Sequence, residues 1–375
     1  MSRPLLIIGR SVRAAAASAR RAGYEPICIR PQTNRPAGDL IIRTCPADDW
    51  PTGALKLVDD HPDVPVLIAL DMENHPGVLD ALAFNHKFLG PGPQAIRAAR
   101  DPVAFASLPT HPGLKFCATR TASSILHRSI RLVFGVFSRR KYLVKPRDGY
   151  GGRGIEWWHT GKLVGRNYYL QEYVRGTPHA AVFTADGWSA RLLGVSEQLV
   201  GEFTFGAAPF AYCGSIGPVR MSEQARAALS HFAVQLTQRC DMRGVFGIDF
   251  IMDMRGNVRP VEVNPRYVES IEVLERAGDL VALSGYASQS QSRETRTATG
   301  VHGKAVVFAK MRCRAGDLQA NVEPRYLADS PQPGTRIAAS QAICTIFAQA
   351  ANRDQCEREL QQRARQIYES CQVDD

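Results

Sequence analysis

The residues best suited to chemistry fall in two stretches. In Tyr142-Leu143-Val144-Lys145-Pro146-Arg147-Asp148-Gly149-Tyr150-Gly151-Gly152-Arg153-Gly154-Ile155 an apolar strand delivers a lysine, and a glycine-rich loop then returns into a second strand. Gly149, Gly151, Gly152 and Gly154 permit positive φ and let backbone N–H groups approach phosphate oxygens, with Lys145 as a point charge beside them. The lysine precedes the glycines and no Gly-Lys-Ser/Thr follows, so this is not a Walker loop. A glycine-rich hairpin alone does not establish phosphate binding.

The second stretch is Gly247-Ile248-Asp249-Phe250-Ile251-Met252-Asp253, a turn at Arg255-Gly256-Asn257, and Val258-Arg259-Pro260-Val261-Glu262-Val263-Asn264-Pro265-Arg266. This is a β-hairpin pattern. Glu262 and Asn264 lie two apart and project from one face of their strand, and hairpin pairing brings Asp249 opposite them. Such a convergence of oxygen-bearing side chains is costly unless a hard divalent ion neutralises it, and Mg²⁺ held by carboxylates and ATP phosphates fits. Taken alone, the pattern fits better as solvated acids on an exposed hairpin edge. Together, in this order and at this separation, the two stretches are far more specific.

Strands and helices must position these residues. Leu5 to Ile8 reads as a buried parallel strand, Gly9-Arg10-Ser11 as a turn, and Val12 to Ala22 as a helix capped by Ser11 and ended by Gly23. Glu25 to Ile29, Leu40 to Arg43 and Val64 to Leu70 read as further strands of an open, Rossmann-like parallel sheet ending near residue 95. No GxGxxG follows the first strand. The helix start with Ser11 and Arg13 suits an anion or an ordinary solvated cap about equally. Gly90-Pro91-Gly92-Pro93 is a break, followed by an expected helix from Gln94 to Leu108. Strand-like sequence resumes at Tyr142. Ser222 to Cys240 reads as a helix, Ser284 to Gly300 as a linker, Lys304 to Lys310 and Ala342 to Ala348 as strands, and Asp354 to Ser370 as a charged helix.

The 375 residues suit two or three packed subdomains. Hydrophobic content of 45% and charged content of 22% are those of a soluble globular chain, and no apolar run approaches the roughly 20 residues that span a bilayer. Nine cysteines are scattered with no CxxC pair, which argues against a disulfide framework or a structural zinc site. The net charge of +10 is mostly dispersed arginine, a pattern for anionic small substrates and not for a nucleic-acid groove. The expected setting is cytoplasmic, away from membranes and nucleic acid.

With Tyr168-Tyr169-Leu170-Gln171-Glu172-Tyr173-Val174-Arg175-Gly176-Thr177-Pro178 between the two stretches, roughly residues 1 to 280 resemble the ATP-grasp superfamily, which includes D-alanine–D-alanine ligase, biotin carboxylase and carbamoyl phosphate synthetase. The resemblance implies an α/β and α+β chain. A Rossmann-like pre-ATP-grasp domain spans residues 1–100, and a two-lobed ATP-grasp fold spans 101–300, with its glycine-rich loop at 145–154, hinge at 168–178 and metal hairpin at 247–266. A small C-terminal α/β extension follows at 301–375. It implies Lys145, Gly151, Gly152 and Gly154 on ATP phosphates, and an adenine hinge at Gln171, Glu172, Tyr173 and Val174. It further implies Asp249, Glu262 and Asn264 around Mg²⁺ or Mn²⁺, and Arg266 steadying the γ-phosphate or an acyl-phosphate.

Two positions depart from the family pattern. The Asp-Lys pair that opens the first ATP-grasp helix reads Asp101-Pro102 here, leaving Arg100 and Arg97 as nearby cations; the acid near the ribose is replaced by His179. The implied activity is carboxylate–amine ligation through an acyl-phosphate, with release of ADP and phosphate. Small carboxylate and amine substrates, in part amino-acid-like, are expected, and a homodimer is open to the chain. The alternatives are nucleotide binding without ligation, or an ATP-dependent kinase or carboxylase. Specificity is expected from Ser11, Arg13 and the Glu197 to Ser215 segment, where packing and turn roles compete with substrate contact.

Overall fold

A computed structural model describes residues 3–33, 40–105, 108–121, 140–159, 164–278, 280–283 and 300–373. The expected linker at 284–299 lies outside them. The first sheet is parallel: β1 (Arg3–Ile8), β2 (Tyr24–Pro31), β3 (Ile41–Cys45) and β4 (Val66–Ile68), in the order β3-β2-β1-β4. Its central strand β1 is apolar and buried from Leu5 to Ile8, because both faces are covered there. Leu5 and Ile7 enter one core, while Leu6 and Ile8 enter another. Helix α1 (Arg13–Arg21) buries its alanines, and Gly23, at φ 83°, turns the chain into β2. Ser11 does not cap this helix: the N-cap is Val12, with no side-chain cap hydrogen bond. Two short helices follow, α2 (Gly53–Val58) and α3 (Pro76–Asn85).

Helix α4 (Pro93–Ala99) is shorter than the expected span to Leu108. Pro102 supplies no N–H and disfavours a helical Asp101, so the helix stops and leaves Arg100 at its end. The next sheet is a small antiparallel lobe of β5 (Thr119–Thr121), β6 (Tyr142–Pro146), β7 (Glu156–Trp157) and β8 (Tyr168–Glu172), in the order β5-β8-β6-β7. Tyr142, Val144 and Leu170 form its core on one face. Alternation therefore sends Lys145, Tyr169 and Gln171 out of the other.

The large sheet contains β9 (Gly176–Asp186), β10 (Ala190–Val200), β11 (Tyr212–Gly217), β12 (Arg243–Asp253), β13 (Val258–Asn264) and β14 (Val301–Phe308). Beyond β15 (Cys313–Ala315) come β16 (Leu327–Ala328), β17 (Arg336–Ile337), β18 (Ala342–Ala350) and β19 (Cys371–Val373). The order is β13-β12-β9-β10-β11-β14-β18-β16, while β17, β15 and β19 form a separate small sheet. The C-terminal segment continues the large sheet. Its strand β14 pairs with β11 and prolongs the central sheet. The physical reason is the apolar run Ala305-Val306-Val307-Phe308, whose Ala305 and Val307 are fully buried and share a core with Cys213 and Ile216 of β11.

Helix α5 (Glu223–Cys240), capped by Ser222 whose Oγ accepts from the Ala225 N–H, packs Leu229, Phe232 and Leu236 on one face of the large sheet against Phe183, Phe246 and Phe250. The other face meets α6 (Ser270–Arg276) and α1 through Val182, Val245, Ile271 and Leu274. Helix α7 (Arg353–Glu369) covers β14 and β18 through Leu360, Ala364 and Ile367. No described helix is long and apolar enough to cross a membrane.

Candidate active site

The hairpin of β12 and β13 pairs Asp249 directly with Glu262 and Gly247 with Asn264. These side chains leave the sheet on the face opposite Phe250 and α5. Asp249 accepts from Gln198 Nε2 at 3.1 Å and from Asn264 Nδ2 at 3.0 Å. Asn264 Oδ1 in turn accepts from Arg266 Nη2 at 3.1 Å. Arg266 is buried, with Nε on Glu73 at 2.5 Å and Nη1 on the Tyr267 carbonyl at 3.1 Å. The β12–β13 hairpin is thereby tied to the segment after β4, and Tyr267 extends the tie by donating its OH to the Ala14 carbonyl at 3.2 Å.

The small antiparallel sheet faces this hairpin. Lys145 is buried, donates to Gln171 Oε1 at 3.2 Å, and lies 5.8 Å above the Tyr169 ring. Gln171 Nε2 reaches the Val261 carbonyl at 3.1 Å, joining β8 to the strand that carries Glu262. Arg100 completes the ring. Its Nη1 donates to Glu262, and its Nη2 to Asn74 Oδ1 at 2.9 Å and to the Arg147 and Gly149 carbonyls at 3.1 Å each. Lys145, Arg100, Glu262, Gly149, Gly152 and Tyr169 all line one cleft.

The charges in the cleft are mutually adjusted. Burial, and then the neighbouring Glu262, push the Asp249 carboxyl up to about 7. Burial also disfavours the Glu262 charge, but Arg100 and Lys145 outweigh it and hold that carboxyl below its ordinary range. Lys145 is the mirror case: burial opposes its charge, while Tyr169 and Glu262 raise it above the usual lysine value. A pair of carboxylates on adjacent strands, one of them resisting ionisation, has the chemistry of a hard-cation site. Among the described residues no group of three His, Cys, Asp or Glu side chains converges, so a cation here would also need Asn264 or non-protein oxygens. Asn264 now turns its nitrogen to Asp249, so its amide must flip to offer oxygen to a cation.

The glycine-rich loop lies over the cleft. Gly151 and Gly152 adopt φ of 59° and 77°, and the Gly151 carbonyl accepts from Tyr212 N–H at 3.0 Å. Gly152 passes so close to the Phe210 carbonyl that a Cβ there would sit 1.8 Å from its oxygen. Gly154, at φ 75°, turns the loop back toward β7.

The hinge follows β8. The backbone N–H groups of Glu172 and Tyr173 donate to the Ala118 and Lys141 carbonyls, both at 2.8 Å, and Val174 follows half-buried. The Glu172 carboxylate takes the Ala118 N–H at 3.1 Å and lies 3.5 Å from Arg259.

Matches to known proteins fit this geometry. Residues 127–270 match the family model described as an ATP-grasp domain. That stretch, well under half of the chain, is similar to ATP-grasp domains. No curated protein matches the chain. Among solved structures, the chain is similar to biotin carboxylase from Campylobacter jejuni in its β,γ-ATP complex (TM-score 0.73, 13% identity, covering 100% of this chain and 92% of that one). It is also similar to L-amino acid ligase from Bacillus licheniformis (0.69, 14%, 100% and 99%) and to N5-carboxyaminoimidazole synthetase from Staphylococcus aureus complexed with ADP (0.69, 16%, 97% and 98%). At these identities the likeness establishes the fold.

Several expectations need adjustment. His179 belongs to the opposite face of the large sheet from Asp249. It stacks on Phe250, 5.3 Å between ring centres, and its Nδ1 meets the Thr177 carbonyl at 2.9 Å. The structure therefore does not bring it to the Lys145–Glu262 cleft. Arg13 is engaged by Glu272 at 2.5 Å and Asp329 at 3.1 Å, and so clasps α1 to α6 and to the C-terminal segment. Of the two candidate arginines, Arg97 pairs with Asp80 at an exposed site, and Arg100 enters the cleft. The sequence reading missed Glu73 and Asn74. Their signal was the Asp71-Met72-Glu73-Asn74 run at the carboxyl end of a parallel strand, where open α/β sheets place ligands.

Proposed function

We propose that the chain is an ATP-dependent ligase that joins a small carboxylate to an amine. The observation that carries this reading is the cleft itself, where Lys145 and Arg100 stand across from the paired carboxylates Asp249 and Glu262 beneath a glycine-rich loop. Asp249 and Glu262, with the turned Asn264, would hold Mg²⁺ or Mn²⁺, which when bound neutralises phosphate charge.

In the proposed reaction a substrate carboxylate oxygen attacks the γ-phosphorus. The bond from that phosphorus to the β-bridging oxygen breaks, and ADP leaves with the electron pair. The amine nitrogen then attacks the acyl carbon, phosphate departs, and the nitrogen loses a proton to give the amide. Such chemistry depends on placement and charge neutralisation and requires no protein nucleophile. Lys145 and Arg100 supply positive charge to the phosphates. Arg266, fixed by Glu73, supplies it beside Asp249 and Glu262.

Several solved structures of this fold are named as carboxylases and others as ligases, so the product separates the readings. ADP and phosphate release should be followed across a panel of amino acids and small carboxylates, with mass analysis for amide, phosphorylated or carboxylated products. Glu262→Gln should abolish ADP release. Near-normal turnover in that variant refutes the metal assignment, and ATP binding without turnover on any substrate refutes the ligase reading.

A further inference from the structure

Arg100 stands where two ligands would compete. Its Nη1 holds Glu262, one of the two carboxylates available to a divalent cation. Its Nη2 holds the Arg147 and Gly149 carbonyls of the glycine-rich loop, both at 3.1 Å. The guanidinium thus bridges the metal strand and the loop that would wrap phosphate. Its side chain is only 13% exposed, so solvent does little to screen it.

A guanidinium and a divalent cation on the same carboxylate repel each other in such a setting. A phosphate chain reverses the balance, because its oxygens offer the guanidinium a charged, bidentate partner better than two carbonyls. The loop need not collapse when Arg100 lets go. Asn74 Nδ2 also contacts the Gly149 carbonyl at 3.4 Å. Asn74 itself is steadied by Asp71, a buried residue at φ 85° whose carboxylate takes Arg10 at 2.5 Å and Trp50 Nε1 at 3.1 Å.

Resting on the nucleotide reading above, we propose that Arg100 is a displaceable counter-ion. It blocks Glu262 from a lone divalent cation and turns to phosphate oxygens when cation and nucleotide enter together. The two ligands consequently bind cooperatively, and neither alone is held tightly.

Calorimetry on the full chain tests this, with Mn²⁺ alone and with ADP in the presence and absence of excess Mg²⁺. Arg100→Gln should bind Mn²⁺ alone about tenfold tighter than wild type and Mg²⁺–ADP about tenfold more weakly, so that the enhancement of ADP affinity by Mg²⁺ shrinks. Arg100→Lys keeps the charge but not the fork, and should stay near wild type for Mn²⁺ while losing part of the Mg²⁺–ADP affinity. The lysine variant carries the test if the glutamine variant does not fold. An unchanged Mn²⁺ arm in Arg100→Gln, or an unchanged Mg²⁺–ADP arm in either variant, overturns the proposal. A wild-type chain that binds no adenine nucleotide overturns the nucleotide reading itself, and the counter-ion role with it.

Discussion

Asp249 and Glu262 face each other across two paired antiparallel strands, and the environment drives their proton affinities in opposite directions. Glu262 has Arg100 and Lys145 beside it; Asp249 has two amide donors and a like-charged neighbour. The Asp249 proton is held more tightly in the folded chain than in the unfolded one. Its ionisation therefore removes stability as pH rises from 3.8 to about 7, and the loss is complete above that. Asp249→Asn abolishes this loss. Without divalent cation, the variant should gain stability relative to wild type between pH 5 and pH 8 in urea titrations. Its melting point should no longer rise with Mg²⁺ and ATP, and its ADP formation should fall by about 100-fold or more. A variant whose stability tracks wild type across that pH range contradicts the assignment.

The glycine-rich loop offers a contrast between adjacent residues. A Cβ on Gly151 meets nothing within 4 Å, whereas one on Gly152 collides with the Phe210 carbonyl. Both residues have positive φ, so alanine at either costs about 1–2 kcal/mol of backbone strain. Only Gly152→Ala also forbids the loop from lying on the segment that ends in Tyr212. Its turnover should drop by about 100-fold, with thermal stability close to that of Gly151→Ala, because an open loop relieves the collision. Equal kinetics in the two variants would show that this loop contact has no part in catalysis.

Glu272 joins three parts of the chain. It pairs with Arg13 of α1 at 2.5 Å and with Lys304 of β14 at 3.2 Å, and Lys304 also reaches Glu269 at 2.6 Å. Burial raises its proton affinity, but Lys304 and Arg13 outweigh that and hold the carboxyl down at about 2. The stabilisation is fully present above pH 4.5, the ordinary value, and is lost as pH falls toward 2. Glu272→Gln should cost about 3 kcal/mol at pH 7, since it leaves Arg13 with Asp329 alone and the buried Lys304 with Glu269 alone. The gap to wild type should narrow between pH 4.5 and pH 3 in denaturant titrations; a pH-independent gap would mean that lost packing, and not lost charge, accounts for it.

Local chemistry made much of this fold readable. The apolar run at Leu5 to Ile8, the Ser222 cap and the alternation through Glu262 and Asn264 each dictate their element from neighbours a few residues away. The same holds for the strand-then-glycines order of the loop after β6. Other features depend on partners remote in the chain. Whether Arg13 meets a ligand or Glu272, 259 residues on, is decided only by tertiary packing. The joining of β14 to β11 is likewise a pairing across most of the C-terminal half. The end of α4 was readable, since Asp101-Pro102 signals it on backbone grounds alone. The face of His179 was not: it follows from the parity of β9, whose Ala180 pairs with Asp249 far along the chain.

That parity gives a direct comparison between two residues that the family resemblance assigns to the same nucleotide. Lys145 projects into the cleft beside Glu262, and its partners keep it charged against the opposing effect of burial. His179 stacks on Phe250 behind the sheet, where burial lowers its proton affinity and favours the neutral ring. Lys145→Ala should therefore weaken Mg²⁺–ATP binding by about tenfold or more, through loss of a charge-assisted phosphate contact. His179→Phe keeps the stack and removes only the contact with the Thr177 carbonyl, so it should leave nucleotide affinity within about twofold and cost roughly 1 kcal/mol of stability. Fluorescence titration with a labelled ATP analogue, alongside thermal unfolding, measures both quantities. A loss of affinity in His179→Phe comparable to that in Lys145→Ala would return the histidine to the ribose and contradict the face assigned to it here.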